Sequence, residues 1–414
     1  MRVEVVNTGT ELLLGKVVNT HASFFGQELF KLGLRVQRQV TIPDGDDIKT
    51  VLNEAFPRCD IILITGGLGP TSDDITREVV AEMLGRELHL DESILEEIEN
   101  MFRQRGLRAS RANDRQAMVP EGAVVLHNPN GTAPGLYLPA DEENDTPHLF
   151  LLPGPPRELK PMFLDQVYPV LEEMQSEELG RNIWRNFRIY GVGESAIAAK
   201  LEKKLSEFDG LEVGYCARLG EVDLRLIGPP EAVDAGSEIV RDAYREEIIA
   251  EAEDPIEQIV IELLSERGET VSTAESCTGG LIVSTLTDVS GSSSAVHRGY
   301  VTYSNEAKSE ILGVPAEVIE EHGAVSESVV RAMAEGCLRV SGADHALAVS
   351  GIAGPTGGSE EKPVGTVWVG IASKGMETFA KRYFHPSDRL SFKQRVTRLV
   401  LDLLRKRLRG FSLD

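Results

Sequence analysis

Short apolar runs alternate with stretches whose apolar residues recur every three to four positions, and this rhythm predicts strands and helices in turn along most of the chain. In the first 170 residues, runs 3–7, 35–40, 61–65 and 148–152 predict strands. Segments 19–32, 46–55, 75–83 and 92–105 predict amphipathic helices. That alternation argues for a mostly parallel sheet covered on both faces. Between Pro139 and Pro147, the residues Asp141, Glu142, Glu143, Asn144 and Asp145 read as a solvated hairpin loop. Residues 171–254 change rhythm. A helix over 170–177, a strand over 186–190, a helix over 194–205, strands over 211–217 and 221–227, and a helix over 231–247 predict a small α+β module. Its two adjacent strands meet at Arg218-Leu219-Gly220 as a hairpin. Pro255 suits the first turn of a helix over 256–267. Strands follow over 270–274, 295–303, 345–350, 366–372 and 378–384, with helices between them. A basic helix over 389–408 closes the chain. The expected fold class is therefore α/β, in three domains: 1–170, 171–254 and 255–414.

Composition narrows the function. The chain has 414 residues, 41% hydrophobic and 26% charged, which suffices for large cores. Acidic residues outnumber basic ones by 66 to 43, giving a net charge of −23. Such a surface repels phosphate backbones and argues against nucleic acid as a partner. The one basic cluster runs along the last helix: Lys393, Arg395, Arg398, Arg405, Lys406, Arg407 and Arg409. It reads as a solvated helix face. Four scattered cysteines with no C-x-x-C pair suggest neither a disulfide framework nor a zinc knuckle. The first residues lack the apolar core of a signal peptide, and no run approaches the ~18 apolar residues of a membrane span. A soluble cytoplasmic protein without membrane attachment is expected.

Candidate chemistry sits where strands end. Run 61–65 leads into Gly66-Gly67-Leu68-Gly69-Pro70-Thr71, followed by Asp73 and Asp74. Glycines let the backbone approach a ligand, and the next helix offers free N–H groups suited to phosphate. The two aspartates either cap that helix or hold a metal ion that bridges phosphates. Thr8-Gly9-Thr10-Glu11 follows the first strand, Asn130-Gly131-Thr132 belongs to a second glycine-rich turn, and Pro153–Glu158 follows a third apolar run. Glu11 joins Asp73 and Asp74 as a candidate metal ligand. Nearer the C-terminus, Glu275-Ser276-Cys277-Thr278-Gly279-Gly280 joins a strand to a helix. Ser276 there is either an N-cap or a nucleophile beside free N–H groups of Cys277, Thr278 and Gly279. A serine needs a base, and Lys308, five residues after Tyr303, supplies one if burial lowers its pKa. Tyr303 can relay a proton. Cys277 is the rival nucleophile. Ser350 and Gly351 open another glycine-rich loop, and Arg389 at the start of the last helix can grip a phosphate bidentately.

These segments resemble the CinA (competence/damage-inducible protein) family along nearly the whole chain. Thr8–Gly15, Gly66–Thr76, Asn130–Gly135 and Leu152–Glu158 are similar to its molybdopterin-binding (MoaB/MogA-like) N-terminal domain. The resemblance implies a three-layer α/β fold there. It also implies ADP-ribose pyrophosphatase activity dependent on a divalent metal ion, with Gly66, Gly67, Gly69 and Asp74 on the family's motif. It leaves the role of His21 open. Residues 171–254 resemble the family's KH-like insert, although no Gly-x-x-Gly clamp between two helices is present. Residues 255–414 resemble the nicotinamide-nucleotide amidase domain, which converts nicotinamide mononucleotide to nicotinate mononucleotide and ammonia. The resemblance makes Ser276 the nucleophile, places Tyr303 and Lys308 beside it, gives Ser350 a site hydroxyl and Arg389 the substrate, and implies no cofactor for the amidase. It further implies a homodimer. The competing expectations are a catalytically silent pterin- or nucleotide-binding module and a competence-associated interaction protein.

Overall fold

The computed structural model describes the chain except residues 46, 109, 142–143, 177–181 and 414. Glu142, Glu143 and the end of the helix expected over 170–177 thus lie outside the described residues. The chain forms two compact units, Met1–Arg181 and Asn182–Asp414, so the middle module and the C-terminal α/β part share the second.

In the first unit, β1 (Val3–Thr8) and β3 (Ile61–Thr65) are buried at every residue. That is the pattern of strands covered on both faces, and it explains why they read as unbroken apolar runs. With β2 (Val36–Ile42), β4 (Val124–Leu126), β5 (Gly135–Leu138) and β6 (His148–Leu152) they form one sheet, ordered β2-β1-β3-β6-β5-β4. The first four strands run parallel, and β5 and β4 add antiparallel. These last two were not expected, since three or four residues are too few to show a period of two. One face of the sheet packs Phe25, Phe150 and Phe163, and the other packs Ile48, Leu52, Ile62 and Val80. The apolar stripes come from α1 (His21–Lys31), α2 (Asp47–Ala55) and α3 (Thr76–Met83), with α4 (Glu92–Gln104) beyond them. The loops after β1, β3 and β6 leave the same edge, where open α/β sheets bind ligands. The last of them enters α5 (Pro156–Met162).

The second unit holds two sheets. The antiparallel one is ordered β8-β9-β7-β10, built from β7 (Ile183–Tyr190), β8 (Glu212–Ala217), β9 (Glu221–Gly228) and β10 (Ile248–Ala250). Its core contains Ile197, Leu201 and Leu205 of α6 (Glu194–Leu205) and Val233 and Val240 of α7 (Pro230–Tyr244). The other sheet follows α8 (Ile256–Arg267). It is ordered β12-β11-β13-β14-β15, from β11 (Val271–Glu275), β12 (Val296–Val301), β13 (His345–Gly351), β14 (Thr366–Ser373) and β15 (Phe379–Phe384). β12, β11 and β13 are parallel, so the chain leaves β11 and β13 on the same edge. α9 (Leu281–Thr287), α10 (Asn305–Leu312), α11 (Glu327–Ser341) and α12 (Arg389–Leu408) are among the helices that flank this sheet.

The basic cluster on α12 is not a solvated face, which corrects the expectation. Arg405 is fully buried: it donates to Asp402 at 2.8 Å and to the Ile248 carbonyl at 3.0 Å. Arg398 donates to the Leu219 carbonyl at 2.7 Å, and Arg407 to the Ile371 carbonyl at 3.2 Å. Arg398, Arg405, Arg407 and Arg409 thus turn to backbone carbonyls of the middle module and of the C-terminal sheet. Among the described residues no helix is long and apolar enough to cross a membrane.

Candidate active sites

The strand–turn–helix joint after β11 places Ser276. Its N–H donates to the Val349 carbonyl of β13 at 3.1 Å, which pins the residue where the two parallel strands end. A cavity of about 310 Å³ opens there, lined by Ser276, Cys277, Tyr303, Lys308, Ser350, Gly351 and Arg389 among others. Lys308 reaches it from α10, whose N-cap Ser304 accepts from the Ala307 N–H. Only 1% of Lys308 is exposed, and its Nζ lies 3.4 Å from Ser276 Oγ. Carbonyls of Thr302, Tyr303 and Ser304 accept from the same nitrogen at 3.0, 3.2 and 3.3 Å. Burial lowers the Lys308 pKa from its ordinary value. Ser276 and Lys308 are thus together. Tyr303 lines the cavity, but it is its carbonyl, not its phenol, that meets the amine, and its side chain is 64% exposed. Cys277 is buried and its thiol is pushed up to about 12 by desolvation, which leaves it a poor thiolate source.

The other expected residues divide. Ser350 is buried and its hydroxyl donates to the Ala324 carbonyl at 2.6 Å, so it faces a ligand as an acceptor. Arg389 donates to the Gly354 carbonyl at 2.9 Å instead of pairing with Asp388, which caps α12. Thr278 and Gly279 do not line the cavity. The Thr278 hydroxyl instead donates to Glu275 at 2.7 Å. Glu275 was missed by sequence reasoning. Its fully buried carboxylate also accepts from the N–H groups of Gly280, Ile282 and Val283 at 2.9, 3.0 and 2.9 Å. It anchors the first turn of α9 and takes up the helix's positive end. The signal was an acid directly before a strand-to-helix turn. Gly279 donates to the Ser276 carbonyl. Among the described hydrogen bonds, that leaves the N–H groups of Cys277 and Thr278 as unused donors of this turn.

In the first unit, every expected residue lines one cavity of about 480 Å³: Glu11, Gly66, Gly67, Gly69, Thr71, Asp73, Asp74, Asn130, Gly131 and Thr132. Gly67 has φ +67°, and a Cβ there would collide with Thr76 Oγ1. A Cβ on Gly69 would collide with the Asp74 carboxylate. The loop is therefore as close to its neighbours as a backbone can come. Arg77, 1% exposed, braces it from behind by donating to the Leu68 carbonyl at 3.2 Å, and Arg115 donates to the Thr71 carbonyl at 3.0 Å. Asp74 accepts from the Thr71 N–H at 2.9 Å and from its hydroxyl. Asp44, Arg105, Arg157 and Glu158 also line the cavity, and sequence reasoning did not single them out. Asp44 was legible in hindsight, because it follows β2, a fourth parallel strand ending on the same edge. His21 does not line this cavity. It is buried, Nδ1 lies 3.3 Å from Thr65 Oγ1, and burial lowers its pKa, so its role is within the core.

A divalent ion was expected here. Among the described residues no three His, Cys, Asp or Glu side chains form a metal-holding group. Magnesium-type ions, however, bind through one or two carboxylates plus the substrate's own phosphates. Glu11, Asp73 and Asp74 line the same cavity, and one or two of them suit that donor set.

Comparison with known proteins follows this division. Residues 4–173 match the family model of the probable molybdopterin binding domain. Residues 184–263 match that of the damage-inducible protein CinA KH domain, and residues 253–408 that of the CinA C-terminal domain. A CinA-like protein of Akkermansia muciniphila is 48% identical over 401 residues, 97% of this chain and 96% of that protein. A putative competence-damage inducible protein of Symbiobacterium thermophilum is 44% identical over 433 residues, 99% of this chain and 100% of that protein. Among solved structures, competence/damage inducible protein CihA of Agrobacterium tumefaciens is 42% identical, covering 36% of this chain and 91% of that one, with a TM-score of 0.36.

Proposed function

Because the chain belongs to the CinA family, we propose that its C-terminal cavity hydrolyses the carboxamide of nicotinamide mononucleotide to nicotinate mononucleotide and ammonia. The observation that carries this reading is the buried amine of Lys308 at 3.4 Å from Ser276 Oγ. A neutral amine has two hydrogens and one lone pair. In the neutral form, two of the three neighbouring carbonyls can take those hydrogens, which frees the lone pair for the serine hydroxyl. Ser276 Oγ attacks the carboxamide carbon as its proton passes to Lys308. The N–H group of Cys277, the unused donor of this turn whose residue lines the cavity, holds the oxygen that gains charge. When the C–N bond breaks, the Lys308 proton leaves with ammonia. Water then attacks the acyl ester, gives its proton to Lys308, and the serine is restored. Arg389 supplies charge for the substrate phosphate. The test is ammonia release from nicotinamide mononucleotide by purified chain. Ser276→Ala is expected to lower kcat by at least about 10³-fold without changing the melting temperature. Turnover within tenfold of wild type overturns Ser276 as nucleophile.

The cavity of the first unit supports a second reading, metal-dependent cleavage of the ADP-ribose pyrophosphate. Glycine loops at the ends of parallel strands and carboxylates lining the same cavity favour it over a silent binding module. A divalent ion, when bound, supplies charge neutralisation at the phosphates. Gly66–Thr71 offers backbone to the phosphates, Arg157 and Arg105 offer charge, and Asp74 or Glu11 holds the ion. Hydrolysis of ADP-ribose should require added divalent ion and fall at least about 10²-fold in Asp74→Ala. Activity that survives chelator would discard this reading and leave the amidase reading untouched.

A further inference from the structure

Five carboxylates line the cavity of the first unit: Glu11, Asp44, Asp73, Asp74 and Glu158. Four of them are exposed or already engaged. Glu11 is exposed, Asp44 accepts from the Thr10 N–H and hydroxyl at 3.0 and 3.2 Å, and Asp73 and Asp74 are both engaged by Thr71. Glu158, in the first turn of α5, has only 8% of its surface exposed. Its two oxygens have different surroundings. Oε2 accepts from Asn128 Nδ2 at 2.9 Å. That amide is itself held in place, because Nδ2 also donates to the Ala133 carbonyl at 2.8 Å and Oδ1 accepts from the Asn130 N–H at 3.1 Å. The turn formed by Asn130, Gly131 and Thr132 lies so close over the carboxylate that a Cβ on Gly131 would come within 1.9 Å of Oε2.

Oε1 is the oxygen left over. Among the described residues it accepts no hydrogen bond, and it is not sealed from solvent. Arg157 Nε stands 3.6 Å from it, too far for a hydrogen bond, on a side chain that is 79% exposed. A carboxylate serving only to anchor a turn has donors on both oxygens. Glu275 shows that case, with five hydrogen bonds shared between Oε1 and Oε2. Glu158 has one oxygen fixed and the other free in a ligand cavity. That is the arrangement a general base requires, because the contacts on the fixed oxygen set the direction of the free one.

We propose that Glu158 is the general base of this cavity, an assignment that rests on the pyrophosphatase reading. Water attacks one phosphorus, gives one proton to Oε1, and leaves its oxygen and second proton on that phosphorus. The bridging P–O bond breaks, two phosphate monoesters leave, and both protons pass to solvent. The experiment is steady-state cleavage of ADP-ribose by the full chain with added divalent ion. Glu158→Gln keeps the shape of the side chain and an acceptor for Asn128, but it takes no proton. It should lower kcat at least about 10²-fold, with KM and melting temperature near wild type. Glu158→Ala should be as slow, and formate in solution should restore part of its rate while leaving Glu158→Gln unchanged. A Glu158→Gln rate within tenfold of wild type overturns the proposal, because a turn anchor survives that change and a base does not. A loss carried by KM with kcat kept, or no response of Glu158→Ala to formate, overturns it as well. In each of these outcomes an active wild type leaves the pyrophosphatase reading standing. A wild type that does not cleave ADP-ribose overturns that reading, and the assignment of Glu158 with it.

Discussion

A lysine in water is protonated at neutral pH and has no lone pair to offer. Lys308 is buried against Ser276, and desolvation disfavours its charged form. Its folded pKa is therefore lower than its unfolded one. Two consequences follow with opposite readouts. For activity, kcat/KM for amide hydrolysis should rise with pH through the lowered pKa and then level off. Lys308→Arg keeps a cation that cannot deprotonate, so it should lose about 10²–10⁴-fold in rate and also lose that rise. A mutant profile parallel to wild type would exclude Lys308 as the base. For stability, the folded state holds fewer protons than the unfolded state between the two pKa values. Lys308 thus contributes a term that increases with pH across that window and is lost below it. The contrast with Cys277, one residue from the nucleophile, is instructive. The same burial that makes an amine usable as a base makes a thiol harder to ionise.

Elements differed in how well their residues announced them. The helix Arg389–Leu408 was legible at both ends, because Asp388 is a strong N-cap and the apolar period holds for twenty residues. Ile256–Arg267 was legible for a similar reason, with Pro255 before it and Gly268 in the left-handed region after it. Ile248–Ala250 and Val124–Leu126 were not, since three-residue strands exist only through the neighbours that pair with them. The same limit applied to the sites. The glycine loop after β3 was legible because glycine spacing is local, and all of its expected residues line one cavity. Lys308 beside Ser276 was legible as chemistry. The turn between them was not, so the Tyr303 phenol was expected where its carbonyl sits. Glu275 escaped notice because its work is done by five hydrogen bonds into a buried turn, and those are visible only in three dimensions.

For the molecule as a whole, net charge hides where charge does structural work. The second unit is held together partly by a cation that the pattern of α12 assigned to solvent. Arg405 is fully buried, pairs with the buried Asp402, and donates to carbonyls of Ile248 and Glu246 in the middle module. Truncating it leaves a buried carboxylate unpaired and removes a donor from the Glu246 and Ile248 carbonyls, the second of which keeps Arg409 at 3.2 Å. Arg405→Ala should therefore cost about 3–5 kcal/mol. For a unit of this size that lowers the melting temperature by roughly 10 °C. Both tryptophans, Trp184 and Trp368, lie in this unit, one in β7 and one in β14, so tryptophan fluorescence follows its unfolding and not that of the first unit. One fluorescence transition that moves down in Arg405→Ala is expected, with partial recovery in the double variant Asp402→Leu, Arg405→Met, where apolar packing replaces the ion pair. If the transition does not move, or if the two tryptophans melt in separate steps in the wild type, then Arg405 does not bind the middle module and the C-terminal part into one cooperative body.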